Sequence, residues 1–430
     1  MISAHDLLAG LERFGIRLGL EHLRGLAGAL GSPERAIPAV IVAGTNGKGS
    51  VASLLASIAT RSGLATGLYT SPHLEFPEER IRLAGSPIPE AELAALLREV
   101  LDAATRLGHS SPTYFEAMTL AAFLHFTRRD AGLAVLEVGM GGRLDATNLA
   151  DARLAVIAPV AFDHQEFLGN TLDAIAREKA GVLRPGAPAV FAPQPGEATQ
   201  ALHAEARRCG APVTAVDEEV RSLEVQFRGL EGLRLRLETR QQTYDLETAL
   251  AGRHQAWNVA TAVVAAERFP AATLAPLAPS AIVAGVAACR WPGRLERLQA
   301  RGPAAAVLLD AAHNPAGCEA LCAFLDELGR PFTLLFGALA DKELGGMLPA
   351  LAVRSRRIVL TRPVSPRAAD PAALAALLPG GREAVLEPAI EPALAAALAG
   401  ENELVVACGS IFLIGEIRHL LTARAGWIAP

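Results

Sequence analysis

Three lysines stand among the forty basic residues of this 430-residue chain; the other 37 are arginines. Lys48 lies in Gly44-Thr45-Asn46-Gly47-Lys48-Gly49-Ser50, Lys179 in Arg177-Glu178-Lys179-Ala180-Gly181, and Lys342 follows Asp341. Lysine supplies a compact point charge, and an amine that can lose its proton and act as a nucleophile; a guanidinium offers neither. A loop that grips phosphate calls for the first property and covalent modification of the amine calls for the second. The retained lysines therefore point to nucleotide chemistry.

The glycine loop departs from G-x-x-x-x-G-K-[ST]: the first glycine is missing at that spacing, and Gly49 separates Lys48 from Ser50. Backbone N–H groups and a helix N-terminus would hold phosphates there, with Lys48 neutralising the β/γ oxygens. Glu137 closes an apolar run just before Gly139, Gly141 and Gly142, where ligands gather in α/β sheets. A carboxylate so placed suits Mg²⁺, though a capping or salt-bridged acid reads equally well. Taken alone, Ser71 before Pro72 reads as a turn serine, His164 after Asp163 as a loop histidine, and Lys179, near the middle of a polar helix, as a solvated lysine. Tyr114 and Phe115 read as core aromatics. Arg294, beside Pro292-Gly293, is either a linker anchor or a clamp on a phosphoryl group in transfer.

These residues need a scaffold. Residues 39–42 form a β-like run into the glycine loop and 51–62 read as the helix after it, the context a phosphate loop requires. Strands are expected at 133–138 and 154–159, so alternation predicts a mostly parallel sheet wound with helices. From 221 to 246 the pattern turns to period two, as in Leu233-Arg234-Leu235-Arg236-Leu237, which predicts a small antiparallel section; a helix at 256–268 follows. A fresh βα series then begins, with strands at 306–309, 333–336, 357–360 and 404–407. The fold class is α/β: a P-loop-type ATPase domain over 1–294 and a Rossmann-like α/β domain over 295–430.

The length predicts more than one core. Forty basic against 45 acidic residues, a net charge of -5, leaves no concentrated positive face for nucleic acid. Five cysteines in no ligand pattern, with Cys318 and Cys322 four apart, are expected to pack as apolar side chains. His5, Asp6, Glu12 and Arg13 interrupt any apolar leader, and the uncharged stretch 404–415 is too short to span a bilayer, so a soluble cytoplasmic protein is expected.

The ordered motifs resemble those of folylpolyglutamate synthase and its bifunctional relative dihydrofolate synthase, within the Mur ligase superfamily. They are Gly44 to Ser50, Thr70-Ser71-Pro72-His73-Leu74, Glu79-Arg80-Ile81, Thr113-Tyr114-Phe115-Glu116, Glu137 to Asn148, Asp163-His164, Glu178 to Gly181, Gly252 to Asn258, Pro292-Gly293-Arg294, and Asp310 to Pro315. They span nearly the whole chain; Glu78 and Met140 are small departures. The resemblance implies Ser71, Glu137 and His164 as ligands of two Mg²⁺ ions, with Lys179 carbamylated to help hold the second. It implies ATP contacts from Gly44, Thr45, Asn46, Gly47, Lys48, Gly49, Ser50, Asn258, Arg294 and Asp310, and a place in the site for His313. Thr113, Tyr114, Phe115 and Glu116, with Leu144, Asp145 and Ala146, match the pterin-side segments.

The implied activity is ATP-dependent ligation of L-glutamate to a folate-type carboxylate, dihydropteroate or a reduced folate, through an acyl phosphate. A monomer with no nucleic-acid or membrane partner is expected. Tyr114 resembles the bifunctional bacterial form. Another Mur-type ligase would be expected to carry a long substrate domain before the glycine loop, and a non-ligating ATP switch would leave Lys179 unexplained.

Overall fold

The computed structural model describes residues 2–11, 15, 17, 19–269, 277–300, 306–400, 404–423 and 427–428. Glu12 and Arg13 lie outside the described residues. Two compact units emerge: residues 1–224, 235–247 and 255–289 form the first, and 225–234, 248–254 and 290–430 form the second.

The first unit is organised by an eight-stranded sheet. In chain order its strands are β1 (Ala39–Ala43), β2 (Thr66–Tyr69), β3 (Ile81–Leu83), β4 (Ser86–Pro87), β5 (Leu133–Glu137), β6 (Ala152–Ile157), β7 (Ala189–Phe191) and β8 (Val213–Ala215). Their spatial order is β4-β3-β2-β5-β1-β6-β7-β8, parallel from β2 to β8, with β3 and β4 antiparallel at one edge. Every residue of β1 and β5 is buried, as expected of central parallel strands covered on both faces.

Helix Lys48–Arg61 begins three residues earlier than the apolar pattern predicts, because Gly47 in the left-handed region (φ 83°) lets the chain turn straight from loop into helix. Helix Pro279–Ala288 packs on it through Gly285, where a Cβ would fall 2.4 Å from Ile58 Cα. The Ser57 hydroxyl donates to the Gly285 carbonyl at 2.7 Å, pinning that close crossing. The predicted helix after the period-two stretch runs His254–Ala266. The stretch itself forms a separate three-stranded sheet of β9 (Val220–Phe227), β10 (Leu233–Thr239) and β11 (Thr243–Thr248), in the order β11-β10-β9.

The second unit holds a seven-stranded sheet of β12 (Glu296–Ala300), β13 (Ala306–Leu309), β14 (Phe332–Phe336), β15 (Arg357–Leu360), β16 (Val385–Leu386), β17 (Leu404–Cys408) and β18 (Trp427–Ile428). The order is β16-β15-β14-β17-β13-β12-β18, with β16 to β13 parallel and β12 and β18 antiparallel at the edge. Cys318 and Cys322 are buried on one face of helix Pro315–Leu328, and all five cysteines are free thiols. Among the described residues, no helix is long and apolar enough to cross a membrane.

Candidate active site

In the first unit the neighbours β2, β5, β1 and β6 are parallel, so the loops at their C-terminal ends stand side by side. Those loops carry Ser71, Glu137, the glycine loop and His164. Strand order alone thus gathers residues spread over more than a hundred positions.

The glycine loop is shaped by close approach. Gly44 (φ 141°) faces Ala158, whose carbonyl oxygen would lie 2.7 Å from an added Cβ. At Gly47 a Cβ would fall 2.5 Å from Asn258 Oδ1, so only glycine fits beside that amide. The Thr45 and Asn46 amides both donate to the Pro159 carbonyl, at 2.9 and 3.2 Å. The Thr45 hydroxyl exchanges hydrogen bonds with the backbone of Ala161. These amides therefore build the loop, and the anion-facing donors narrow to the first turn of helix Lys48–Arg61, whose amides have no intrahelical acceptor.

Two of the three lysines converge here. Lys48 Nζ donates to the Thr45 carbonyl at 3.0 Å, and Lys179 Nζ donates to the adjacent Gly44 carbonyl at 2.7 Å. Lys179 is not solvated and not mid-helix: it is the next-to-last residue of helix Leu172–Ala180 and only 4 % exposed. Burial, reinforced by the positive charge of Lys48, lowers its pKa to about 7.

Glu137 is buried at the end of β5, and its Oε2 accepts the Ser71 amide at 3.0 Å. The turn after it is locked by Asp145, whose Oδ2 accepts the Gly139 and Met140 amides at 3.0 Å each, while Oδ1 accepts from the Thr147 amide and hydroxyl. Burial holds the Asp145 pKa above the ordinary carboxylate value in spite of those bonds. His164 takes a left-handed backbone (φ 50°) at the start of helix Gln165–Leu168, with Nε2 3.9 Å from Asp163 Oδ2.

The two segments expected on the pterin side divide by structure. Thr113 and Glu116 form a capping box on helix Tyr114–Arg128: the Thr113 amide donates to Glu116 Oε2 at 2.7 Å, and the Glu116 amide donates to Thr113 Oγ1 at 3.2 Å. Phe115 lies against Gly139, where a Cβ would meet its ring at 2.7 Å. The Arg80 guanidinium sits 4.8 Å from the Tyr114 ring centroid and donates through Nε to His73 Nδ1 at 2.9 Å. Leu144 is exposed and Ala146 buried. Tyr114 and Phe115 are partly buried and pack against the hydrophobic core of the first unit.

Gln255 was legible only as part of a motif. It is buried and accepts from Asn258 Nδ2 at 2.9 Å, and its own amide donates to Ser50 Oγ at 3.3 Å. It therefore ties Asn258 to the phosphate-loop helix.

The second unit holds Arg294, Asp310 and His313. Asp310 follows β13; its Oδ2 accepts the Leu295 amide and Oδ1 the Ala312 amide, each at 2.9 Å. Burial raises its pKa, opposed by the nearby Arg294 charge. His313 Nδ1 lies 2.8 Å from the Ala311 carbonyl. Lys342 lies in the turn after β14.

The donor set fits a hard divalent cation in part. Glu137 and the Ser71 hydroxyl are oxygen donors beside a cationic phosphate loop. Among the described residues no group of three His, Cys, Asp or Glu side chains gathers as a ready metal site. A carboxylate formed on Lys179 would supply further oxygens.

Residues 42–266 match the Mur ligase middle domain, and 293–411 match the Mur ligase glutamate ligase domain. The dihydrofolate synthase/folylpolyglutamate synthase of Bacillus subtilis is 33 % identical over 97 % of this chain and 98 % of its own length. A Mycobacterium tuberculosis folylpolyglutamate synthase complexed with ADP and AMPPCP superposes with a TM-score of 0.88 at 35 % identity, covering 98 % of this chain and 100 % of that one. Escherichia coli FolC in complex with DHPP and ADP gives 0.87 at 31 % identity, covering 98 % of each chain.

Proposed function

This chain belongs to the folylpolyglutamate synthase/dihydrofolate synthase family of Mur ligases, and we propose that it ligates L-glutamate both to dihydropteroate and to reduced folates. The chemistry is ATP-dependent acid–amino-acid ligation. A carboxylate is a poor electrophile because its leaving group is poor. Transfer of the γ-phosphoryl group to a carboxylate oxygen expels ADP and leaves an acyl phosphate. The glutamate amine then attacks the acyl carbon, the C–O bond to phosphate breaks, and the amide forms as the amine loses a proton.

The observation that carries this reading is the pair Lys48 and Lys179 on successive carbonyls of one glycine loop. Lys48 is released to phosphate oxygens on nucleotide binding, and the first-turn amides of its helix orient them. Asn258, held by Gln255, borders the loop at Gly47. Arg294, Asp310 and His313 are the further candidates for contact with ATP. Glu137, Ser71, His164 and carbamylated Lys179 hold the magnesium. Magnesium, when bound, neutralises charge on the transferring phosphoryl group. Carbamylation suits Lys179 because the neutral amine is the reacting form, and burial, which lowers its pKa to about 7, favours that form. Tyr114, Phe115 and Leu144 flank the pterin, with Thr113, Glu116, Asp145 and Ala146 framing them. The first unit carries the folate-type acid and the phosphate loop, and the second is the glutamate-ligase half, in a cytoplasmic monomer.

The test is phosphate release from ATP by the purified protein with L-glutamate and either dihydropteroate or tetrahydrofolate. Turnover that rises with each acid supports the reading. Turnover indifferent to glutamate and to both acids would sink it, and response to one acid alone would remove the bifunctional claim.

A further inference from the structure

The capping box at Thr113 and Glu116 is gripped from outside its helix. Arg17 and His22, from the N-terminal segment, close on the Glu116 carboxylate. Arg17 Nη1 lies 3.5 Å from Glu116 Oε2, and His22 Nδ1 lies 3.6 Å from Oε1. The two clamp residues also bond to each other, with Arg17 Nη1 3.0 Å from His22 Nδ1. Their far sides hold the chain just before the cap: Arg17 Nη2 donates to the Ser111 carbonyl at 3.3 Å, and His22 Nε2 is 3.0 Å from the Ser110 carbonyl. The His22 ring lies against His109, 5.3 Å between centroids, and His109 in turn sits under Gly25, where a Cβ would clash at 2.9 Å.

Glu116 is buried, its Oε1 accepts no hydrogen bond, and the Arg17 guanidinium supplies the nearby countercharge, with His22 accepting from Arg17 and donating to the Ser110 carbonyl. A cap alone needs none of this, since the reciprocal Thr113–Glu116 bonds are complete without it. What the clamp adds is a fixed position for residues 110–116, on which Tyr114 and Phe115 ride. Phe115 is wedged on Gly139, two residues past Glu137.

We propose that Arg17 and His22 are positioning residues for the acid substrate: by holding Glu116 and the 110–111 backbone they set Tyr114 and Phe115, and so govern affinity for the folate-type acid without touching it. This rests on the pterin-side placement of Tyr114 and Phe115 above.

Steady-state kinetics of Arg17→Ala and His22→Ala test it, with Arg17→Lys and His22→Gln as milder variants for the case that an alanine variant does not fold. The expected result is a rise of about tenfold in KM for dihydropteroate or tetrahydrofolate, of the size small misplacements produce. KM for ATP stays within twofold, and Arg17→Lys recovers part of the loss by keeping the charge. An unchanged KM for the acid in folded variants, whatever happens to the melting temperature, overturns the proposal. So does a uniform fall in kcat with both KM values intact, the mark of a merely structural part. Wild-type turnover that ignores the acid altogether would instead overturn the ligase reading, so the two failures are told apart.

Discussion

Lys179 shows how much chemistry one buried side chain can carry. Its selection was visible in the sequence, because arginine is otherwise universal and Lys179 is one of three exceptions. Its environment was not visible: the polar helix around it predicts solvent, whereas the fold turns it inward onto Gly44. Burial favours the neutral amine, so its pKa falls to about 7. Below that midpoint the ammonium dominates and cannot add carbon dioxide; above it the amine is free to react. Activation by bicarbonate is therefore expected to fade as pH drops through 7 and to reach its plateau about one unit above it. With ¹³C-bicarbonate the wild type should give a carbamate resonance that Lys179→Arg lacks, and that variant should fold yet turn over at least a hundredfold slower, in line with losses at such positions. A normal rate for the arginine variant, or no labelled adduct in active wild type, would remove the modification. Glu137→Gln is a second probe. The amide oxygen can still accept the Ser71 N–H, so melting should be nearly unchanged, while the Mg²⁺ needed for half-maximal activity rises at least tenfold, as loss of a charged ligand implies. An unaltered magnesium requirement would reassign Glu137 to structure.

Secondary structure was largely legible, and the shortfalls have physical causes. The strand at 357–360 matches to the residue, its Ile358, Val359 and Leu360 forming a short buried apolar run between the polar Arg356 and Thr361. The helix after the glycine loop starts at Lys48 rather than 51 because polar first-turn residues carry no apolar periodicity, and the cap is a backbone feature of Gly47. Thr113 and Glu116, expected in a pterin-side segment, also cap helix Tyr114–Arg128, a pattern the spacing of threonine and glutamate already contained. Gly285 was unreadable, since nothing local marks a glycine that lets two helices touch. Gly285→Ala should lower stability by about 1–3 kcal/mol, the usual cost of overpacking. Chemical denaturation measures it, and a loss within error of zero would mean the helices simply slide apart.

Across the molecule, both units are parallel α/β sheets edged by antiparallel strands, which the alternation of runs in the sequence foretold. The contributions of 225–234 and 248–254 to the second unit were not foretold, since compactness is set by packing rather than by chain order. Acid stability follows from a group the motifs only named. Burial and the Arg80 charge lower the His73 pKa from 6.5 to about 3. Between those values the unfolded chain binds a proton that the folded chain refuses, so stability must fall as pH falls through the window. His73→Gln should flatten the loss between pH 6.5 and about 5, above the range where carboxylates dominate. Denaturation midpoints compared at those pH values decide it, and parallel slopes for both proteins would exclude His73 as the source.

The scarcity of lysine has a practical edge. A reagent that seeks side-chain amines finds three targets in the whole chain, and in one of them burial favours the reactive neutral form. Burial keeps bulky acylating agents from Lys179, so the reagent to use there is one as small as cyanate. Cyanate forms as urea solutions age, and it caps an amine with a neutral carbamoyl group that has no oxygen anion to offer a metal. Incubating the folded protein with dilute cyanate near neutral pH should thus return a correctly folded but silent protein, its mass raised at Lys179 ahead of the other two lysines.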